Sequence, residues 1–201
     1  MNTSLRNNIR QQRRDIPRSQ SDIAEQQLAR IVLEDPWVTE SQHVACFISN
    51  DGEINTRSLI TQLHQADKCV YLPVLDPRRK NHLLFLLHKP DGLLVTNRFG
   101  IPEPDINTGQ VIQNQELDLV LMPLVAFDAF GNRLGMGGGY YDRSFAFTRD
   151  NHRTNKTKPR LAGIAYDFQQ VEPLQTDKWD IPLQKVFTQE LAFVPVAEPS
   201  S

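Results

Sequence analysis

Residues 131–143, GNRLGMGGGYYDR, place five glycines within nine positions and follow them with two tyrosines and an Asp–Arg pair. Glycines at 131, 135, 137, 138 and 139 let a backbone turn tightly and let its N–H groups approach an anion closely. Arg133 and Arg143 flank the run with charge suited to phosphate, and Asp142 offers the hard oxygens that Mg2+ takes. Neither common phosphate-loop template fits, because GxxxxGK[ST] and GxGxxG spacings are both absent. Spacing alone leaves a structural hairpin or bulge and an anion cradle both open.

Other residues could join such a site. Arg6, Arg10, Arg13 and Arg14 fall at i, i+4, i+7 and i+8, so a helix over 3–14 aligns them on one face, with Leu5 and Ile9 on an adjacent stripe to seat it. That face is either a solvated surface or a set of phosphate contacts. Glu53, in NDGEINT, is either an ordinary turn acid or a carboxylate able to accept two hydrogen bonds side by side. Asp180, in WDIPL, is a loop or cap aspartate or a second acid near a metal. His43, His64, His82, His88 and His152 lack metal-ligand spacing and are read as structural or exposed. Cys46 and Cys69 lie in apolar runs and are read as buried, reduced thiols.

The elements that must hold these residues alternate. A second amphipathic helix is expected over 21–33 and a third over 56–66. Apolar, non-alternating runs at 43–49, 68–75, 82–88, 117–127 and 161–168 read as buried strands, with one more short strand within QKVFTQELAF and a helix starting at YYDRSFAF. This order predicts a single-domain, three-layer α/β/α sandwich around a mostly parallel, mixed sheet, spanning 1–195, with a frayed tail at 196–201. The polar stretch with Arg149, Arg153, Lys156, Lys158 and Arg160 is expected to be a solvated loop, with a weaker role in attracting a polyanionic substrate tail.

Composition narrows the function classes. The chain has 201 residues, 39% hydrophobic and 23% charged, with a net charge of −2 that gives no overall pull toward nucleic acid or anionic membrane. No apolar run approaches the roughly 18 residues of a bilayer span. The arginine-rich start resembles a transit peptide but continues directly into a second helical pattern, so a cytoplasmic protein is expected.

The central block GNRLGMGGGYYDR resembles the signature of the 5-formyltetrahydrofolate cyclo-ligase family. SLRNNIRQQRR is similar to that family's N-terminal basic helix, FISNDGEINT to its folate-pocket segment, LDLVLMPLVAFDAF to its core and WDIPLQKVFT to its C-terminal metal motif. The resemblance implies cyclisation of 5-formyltetrahydrofolate to 5,10-methenyltetrahydrofolate. ATP phosphorylates the formyl oxygen, N10 attacks the activated carbon, and phosphate leaves. It implies ATP as co-substrate, Mg2+ as cofactor, and a monomer acting on small molecules without nucleic acid or membrane.

Carried over by position, the resemblance places ATP on Arg6, Arg10 and the loop Arg133, Leu134, Gly135, Met136, Gly137, Gly138, Gly139, Tyr140 and Tyr141. It places the folate on Phe47, Ile48, Glu53, Phe99, Met136 and Tyr140, the metal on Asp142 and Asp180, and catalysis on Arg133 and Asp142. Buried-strand packing accounts for Phe47 and Ile48 almost as well. Four positions depart from the family pattern: Asn2 replaces a common lysine, Met136 and Gly138 stand where some relatives have basic residues, and Trp179 replaces a common histidine. Phosphate charge is then expected to fall on Arg133, backbone N–H groups and Mg2+. The rival readings are a non-catalytic folate- or nucleotide-binding regulator and a nucleic-acid-binding protein; the latter lacks aromatic platforms or a wide basic face.

Overall fold

The computed structural model describes residues 2–150 and 158–197. The chain opens with α1 (Asn2–Arg14), whose last turn carries Arg13 and Arg14, the charge sign that a helix C-terminus favours. Pro17 ends the connection before α2 (Arg18–Glu34), which buries Ala24, Leu28, Ala29 and Val32. Asp35 then caps α3 (Pro36–Thr39) by accepting from the Trp37 N–H at 2.9 Å, with Pro36 at the first helical position.

The strands follow as β1 (His43–Ala45), β2 (Cys69–Leu75) after α4 (Arg57–Gln65), β3 (Leu83–Leu87), the short β4 (Leu94–Thr96), β5 (Pro102–Pro104) and β6 (Val111–Ile112), then β7 (Leu119–Pro123). Beyond it lie β8 (Ala126–Phe127), β9 (Arg133–Leu134), α5 (Tyr140–Ser144), β10 (Arg160–Ile164), β11 (Lys185–Phe187) and β12 (Ala192–Phe193). Eight strands form one sheet in the order β12-β11-β10-β7-β1-β2-β3-β6. Its middle, from β11 to β2, is parallel, with Val44 level with Leu119 and Ala162 level with Leu121. β3, β6 and β12 join antiparallel to their neighbours, so the sheet is mixed as expected.

Side chains alternate across β7, and the two faces of the sheet build two cores. Leu119 and Leu121 join Leu28, Val32, Leu59 and Leu63 beneath α2 and α4. Val120 and Met122 join Phe85, Phe145, Leu183 and Val186 on the opposite face. That second layer is thin: the five-residue α5, a 3-10 turn at Ala146–Asp150 and connecting loops cover it.

Several element boundaries differ from expectation. The run 117–127 is not one strand; it leaves the sheet after Pro123 and re-forms as β8, paired with β9 in a separate ribbon. The break is held from below by buried Gln169, whose amide donates to the Leu124 and Val125 carbonyls at 3.1 and 2.8 Å. The strand expected over 43–49 spans only 43–45, and that over 161–168 ends at Ile164, where a 3-10 turn at Asp167–Gln169 follows. QKVFTQELAF forms the hairpin β11–β12 rather than one strand. β4, β5 and β6 had no apolar run to reveal them. Cys46 is fully buried, with its thiol pushed up to about 12 by burial, whereas Cys69 is only half-buried.

The basic stretch is more tightly held than a solvated loop. Arg149 donates to the Trp179 carbonyl, Lys158 pairs with Asp118 at 2.5 Å, and Arg160 bonds Glu40 with both terminal nitrogens at 2.9 Å. Arg153, Lys156 and His152, like the tail at 198–201, lie outside the described residues. Val196, assigned to the tail, donates its N–H to the Ala129 carbonyl at 3.0 Å.

Candidate active site

Chain order along the sheet creates the crevice. From β1 the chain passes to β2 on one side, whereas from β7 it passes to β10 on the other. Adjacent β1 and β7 therefore diverge, and ligands of open α/β sheets bind beyond the strand ends at such a point. Beyond β1 lies the turn carrying Asp51 and Glu53; beyond β7 lie the β8–β9 ribbon and the glycine loop.

Helix α1 ties these two together. Arg6 donates from Nε to the Gly135 carbonyl at 2.8 Å, across 129 positions of sequence. Arg10 and Arg14 bond opposite oxygens of Asp51 at 2.6 and 2.7 Å, and Arg13 adds a third contact at 3.3 Å. Gly52 has φ +72, and a Cβ there would lie 3.0 Å from the Arg13 and Arg14 backbone, so only glycine lets the turn press flat against the helix. Arg13 is buried, donates to the Leu124 carbonyl at 3.2 Å, and stands 3.9 Å from Glu53. Burial lowers the pKa of Arg13, against the opposing pull of Glu53 and Asp51.

Glu53 itself is pushed up to about 7, mainly by burial; the Asn50 N–H at 2.9 Å and Arg13 act the other way, and the Asp51 charge adds to the rise. Its electrostatic neighbour is Tyr141, whose pKa is raised by burial and by Glu53 and Cys46, against Arg133. Arg133, with 6% of its side chain exposed, donates to Asp142 at 2.7 Å and to the Met122 sulfur at 3.3 Å. Burial lowers its pKa, opposed by Asp142, Asp180 and Tyr141. The Ile181 N–H donates to Asp142 Oδ1 at 3.2 Å, which docks the segment carrying Asp180 onto Asp142, and Asp180 itself accepts from the Asp177 N–H. Residues 6, 53, 133, 141, 142 and 180 thus meet in one neighbourhood.

The remaining expected residues divide. Met136 and Phe99 are exposed, and Phe99 meets Tyr140 edge to face at 6.1 Å. Tyr140 accepts from Arg98 at 2.7 Å. Ile48 borders a cleft of about 820 Å3, shared with Arg57, the hydrogen-bonded pair His64–His88 (2.9 Å), Leu94 and Pro102. Phe47 is 3% exposed and packs in the α2–α4 core, so it supports the wall from behind rather than lining it. Leu134 is also buried, and its carbonyl accepts from Val125. Gly135, Gly137, Gly138 and Gly139 carry the loop to α5, with Gly137 and Gly139 in left-handed conformations. Gly131, at φ +84, would put a Cβ 2.4 Å from the Leu183 carbonyl and so is required by packing. Arg10 reaches Asp51, and among the contacts described none ties it to the glycine loop.

Sequence reasoning missed Arg13, Asp51, Asn81 and Arg98. The first lies on the basic face already noted, but nothing in spacing linked it to Asp51. Asn81 and Arg98 come from turns whose folding against the glycine loop has no local signal.

Among the described residues no three His, Cys, Asp or Glu side chains converge as a metal cage. Asp142 and Asp180 are a pair of carboxylates, which suits Mg2+, a cation usually held by one or two carboxylates together with substrate phosphates. The residues present fit that ion as a companion of a nucleotide.

An α/β sheet with a glycine loop, two neighbouring acids and a part-buried glutamate at its divergence point has the frame of a ligand-binding enzyme site. Residues 1–189 match the 5-formyltetrahydrofolate cyclo-ligase family, and the chain belongs to that family. It is 46% identical over 180 residues to 5-formyltetrahydrofolate cyclo-ligase of Escherichia coli (strain K12), covering 90% of this chain and 96% of that protein. The Haemophilus influenzae 5-formyltetrahydrofolate cyclo-ligase is 44% identical over 179 residues, covering 89% and 92% of the two chains. The solved 5,10-methenyltetrahydrofolate synthetase of Aquifex aeolicus superposes with a TM-score of 0.80 at 27% identity, covering 100% of this chain and 95% of that one.

Proposed function

We propose that this protein closes 5-formyltetrahydrofolate to 5,10-methenyltetrahydrofolate with ATP, as a single cyclo-ligase domain over 1–195. The observation that supports this most is the meeting of Arg6, Glu53, Arg133, Tyr141, Asp142 and Asp180, drawn from four distant segments, at the divergence of β1 and β7. The regulator alternative is not favoured, because the relatives matched over nearly the full chain are cyclo-ligases.

The chemistry needs activation of a poor leaving group. The formyl oxygen takes the terminal phosphoryl group of ATP and ADP departs. The N10 lone pair then bonds the formyl carbon, N10 loses its proton, and the carbon–oxygen bond breaks as phosphate leaves. Positioned charge serves this reaction better than a covalent protein group. Glu53 presents carboxylate oxygens to the pterin N–H donors, and Phe99 and Tyr140 offer ring surfaces to the folate. The cleft beside Ile48 is of a size that holds a drug-sized ligand. Backbone N–H groups from Gly135 to Tyr141 face the phosphates, and Arg6 sets the position of that loop. Arg133 holds Asp142 in place, and Asp142 and Asp180 would hold Mg2+, which when bound neutralises phosphate charge. Cytoplasmic location and a monomeric state are part of this reading; no described helix is long and apolar enough to cross a membrane.

The test mixes purified protein, 5-formyltetrahydrofolate and MgATP and follows absorbance of the methenyl product. Product formation with ADP release in equal amount is expected. ATP binding without either product would restore the regulator.

A further inference from the structure

The glycine loop offers backbone but little free charge. Arg133 is committed to Asp142 and Arg10 to Asp51, which leaves Arg6 and Arg143 at the loop, each already donating to one of its carbonyls. Another source lies beside the loop. The Gly138 carbonyl accepts from the Asn81 amide at 3.0 Å as well as from Arg143 at 2.7 Å. Asn81 belongs to the β2–β3 turn, residues 76–82, DPRRKNH.

That turn is fixed by its own bonds. The Arg78 N–H donates to Asp76 Oδ1 at 2.9 Å, the His82 N–H to the Arg79 carbonyl at 3.2 Å, and the Asp76 N–H to the His82 carbonyl at 3.0 Å. Asn81 sits at φ +57, a conformation that asparagine tolerates. From this frame Arg78, Arg79 and Lys80 project exposed. Arg78 reaches Asp76 only at 3.9 Å, and among the described residues Arg79 and Lys80 make no ion pair. Consecutive Cα atoms lie about 3.8 Å apart, so both emerge within about 8 Å of the residue that touches the loop. The opposite flank is also held: Glu103 accepts from the Leu75 N–H at 3.3 Å and from Asn97 at 2.9 Å, bracing the β4–β5 hairpin.

We infer that the β2–β3 turn is an anion-docking arm of the nucleotide site, in which Asn81 fixes the turn to Gly138 and Arg79 and Lys80 present their charge to polyphosphate oxygens. This rests on the assignment of ATP to the glycine loop made above. Backbone N–H groups orient a phosphate but carry only partial charge, so a triphosphate approaching them needs full cations nearby. Two long, exposed side chains supply these without entering the packed wall that Arg133 occupies. Attraction of this kind weakens as salt rises, which separates it from the buried contacts.

Calorimetric binding of MgATP to the full-length protein, at low and at physiological ionic strength, tests the arm directly. Two exposed charges at the surface-pair scale predict that Arg79→Ala/Lys80→Ala raises Kd about three- to tenfold at low salt, with a smaller gap at higher salt. Asn81→Gly keeps the left-handed backbone while deleting the amide, and should raise Kd about two- to threefold with Tm unchanged. An unchanged MgATP affinity in the double variant at low salt overturns the arm. So does a defect seen only as KM for folates with extended glutamate tails, which would give these cations to carboxylates instead. Wild-type protein that binds MgATP but makes no methenyl product sinks the cyclo-ligase reading, while the affinity comparison still decides the arm. Wild-type protein that does not bind MgATP overturns both.

Discussion

The turn after β1 and the loop after β9 face the same crevice and are built in opposite ways. In the turn, one carboxylate gathers Arg10, Arg13 and Arg14, and Gly52 lies against the backbone of α1 with no room for a methyl group. In the loop, a Cβ added at Gly135 or Gly137 would meet nothing within 4 Å, and Met136 is 55% exposed. The closed side fixes one acid, Glu53, in a low-dielectric position where its protonation state is tunable. The open side leaves backbone N–H groups uncovered for a ligand and borrows its charge from neighbouring elements.

Four measurements would break or sharpen that contrast. Asp142→Asn should lower kcat about a hundredfold or more if the acid holds the metal, the scale of losing one electrostatic contact to the transition state. Stability should fall as well, by about 1–3 kcal/mol, because Arg133 loses a charged partner although Asn keeps an acceptor oxygen. Equal fractional loss of rate and of folded protein in denaturant titrations would reduce Asp142 to a structural partner.

Glu53→Gln should raise KM for the folate roughly tenfold at pH 8, by the loss of charge-assisted bonds. Since Glu53 titrates at about 7, wild-type KM for the folate should fall as pH rises through that value, and the variant should lose this step. Stability gives the opposite sign. The folded pKa lies above the ordinary 4.5, so the contribution of the protonated acid is full below 4.5 and is lost as pH rises through 7. Glu53→Gln should flatten stability over that window; an unaltered profile would place the titration elsewhere.

Asp51→Asn retains the left-handed backbone (φ +52) but removes the charge gathered by three arginines. A loss of about 1–2 kcal/mol is expected, since Arg10 and Arg14 are partly exposed. The KM step should also move below pH 7, because Asp51 is one of the groups raising Glu53. The smallest effect on folding belongs to Gly135→Ala, which has free space and no positive φ, so Tm should hold within a degree or two. A rise in KM for MgATP alone would mark the open side as the nucleotide wall; a folding defect would contradict its openness.

The parallel core was legible because β1, β2, β7 and β10 are buried on both faces and read as continuous apolar runs. The glycine loop and Asp142 were legible from composition and resemblance together. The break after Pro123 was not, because Leu124 and Val125 are as apolar as the strand they leave and only Gln169, far along the chain, stops them from pairing. Arg133 shows the other limit. Residue type marked it as a phosphate cation, but its bond to Asp142 depends on how far β9 is pushed into the interior, which no local pattern encodes.

The grip of α1 has a consequence for how the protein is made. This helix is translated ahead of its anchors, since Asp51 and Gly135 follow 41 and 129 residues after the arginines that seek them. A 13-residue helix without those anchors is marginal in water. Its docking therefore waits for the rest of the sheet, and the crevice is completed by a segment synthesised before either of its walls.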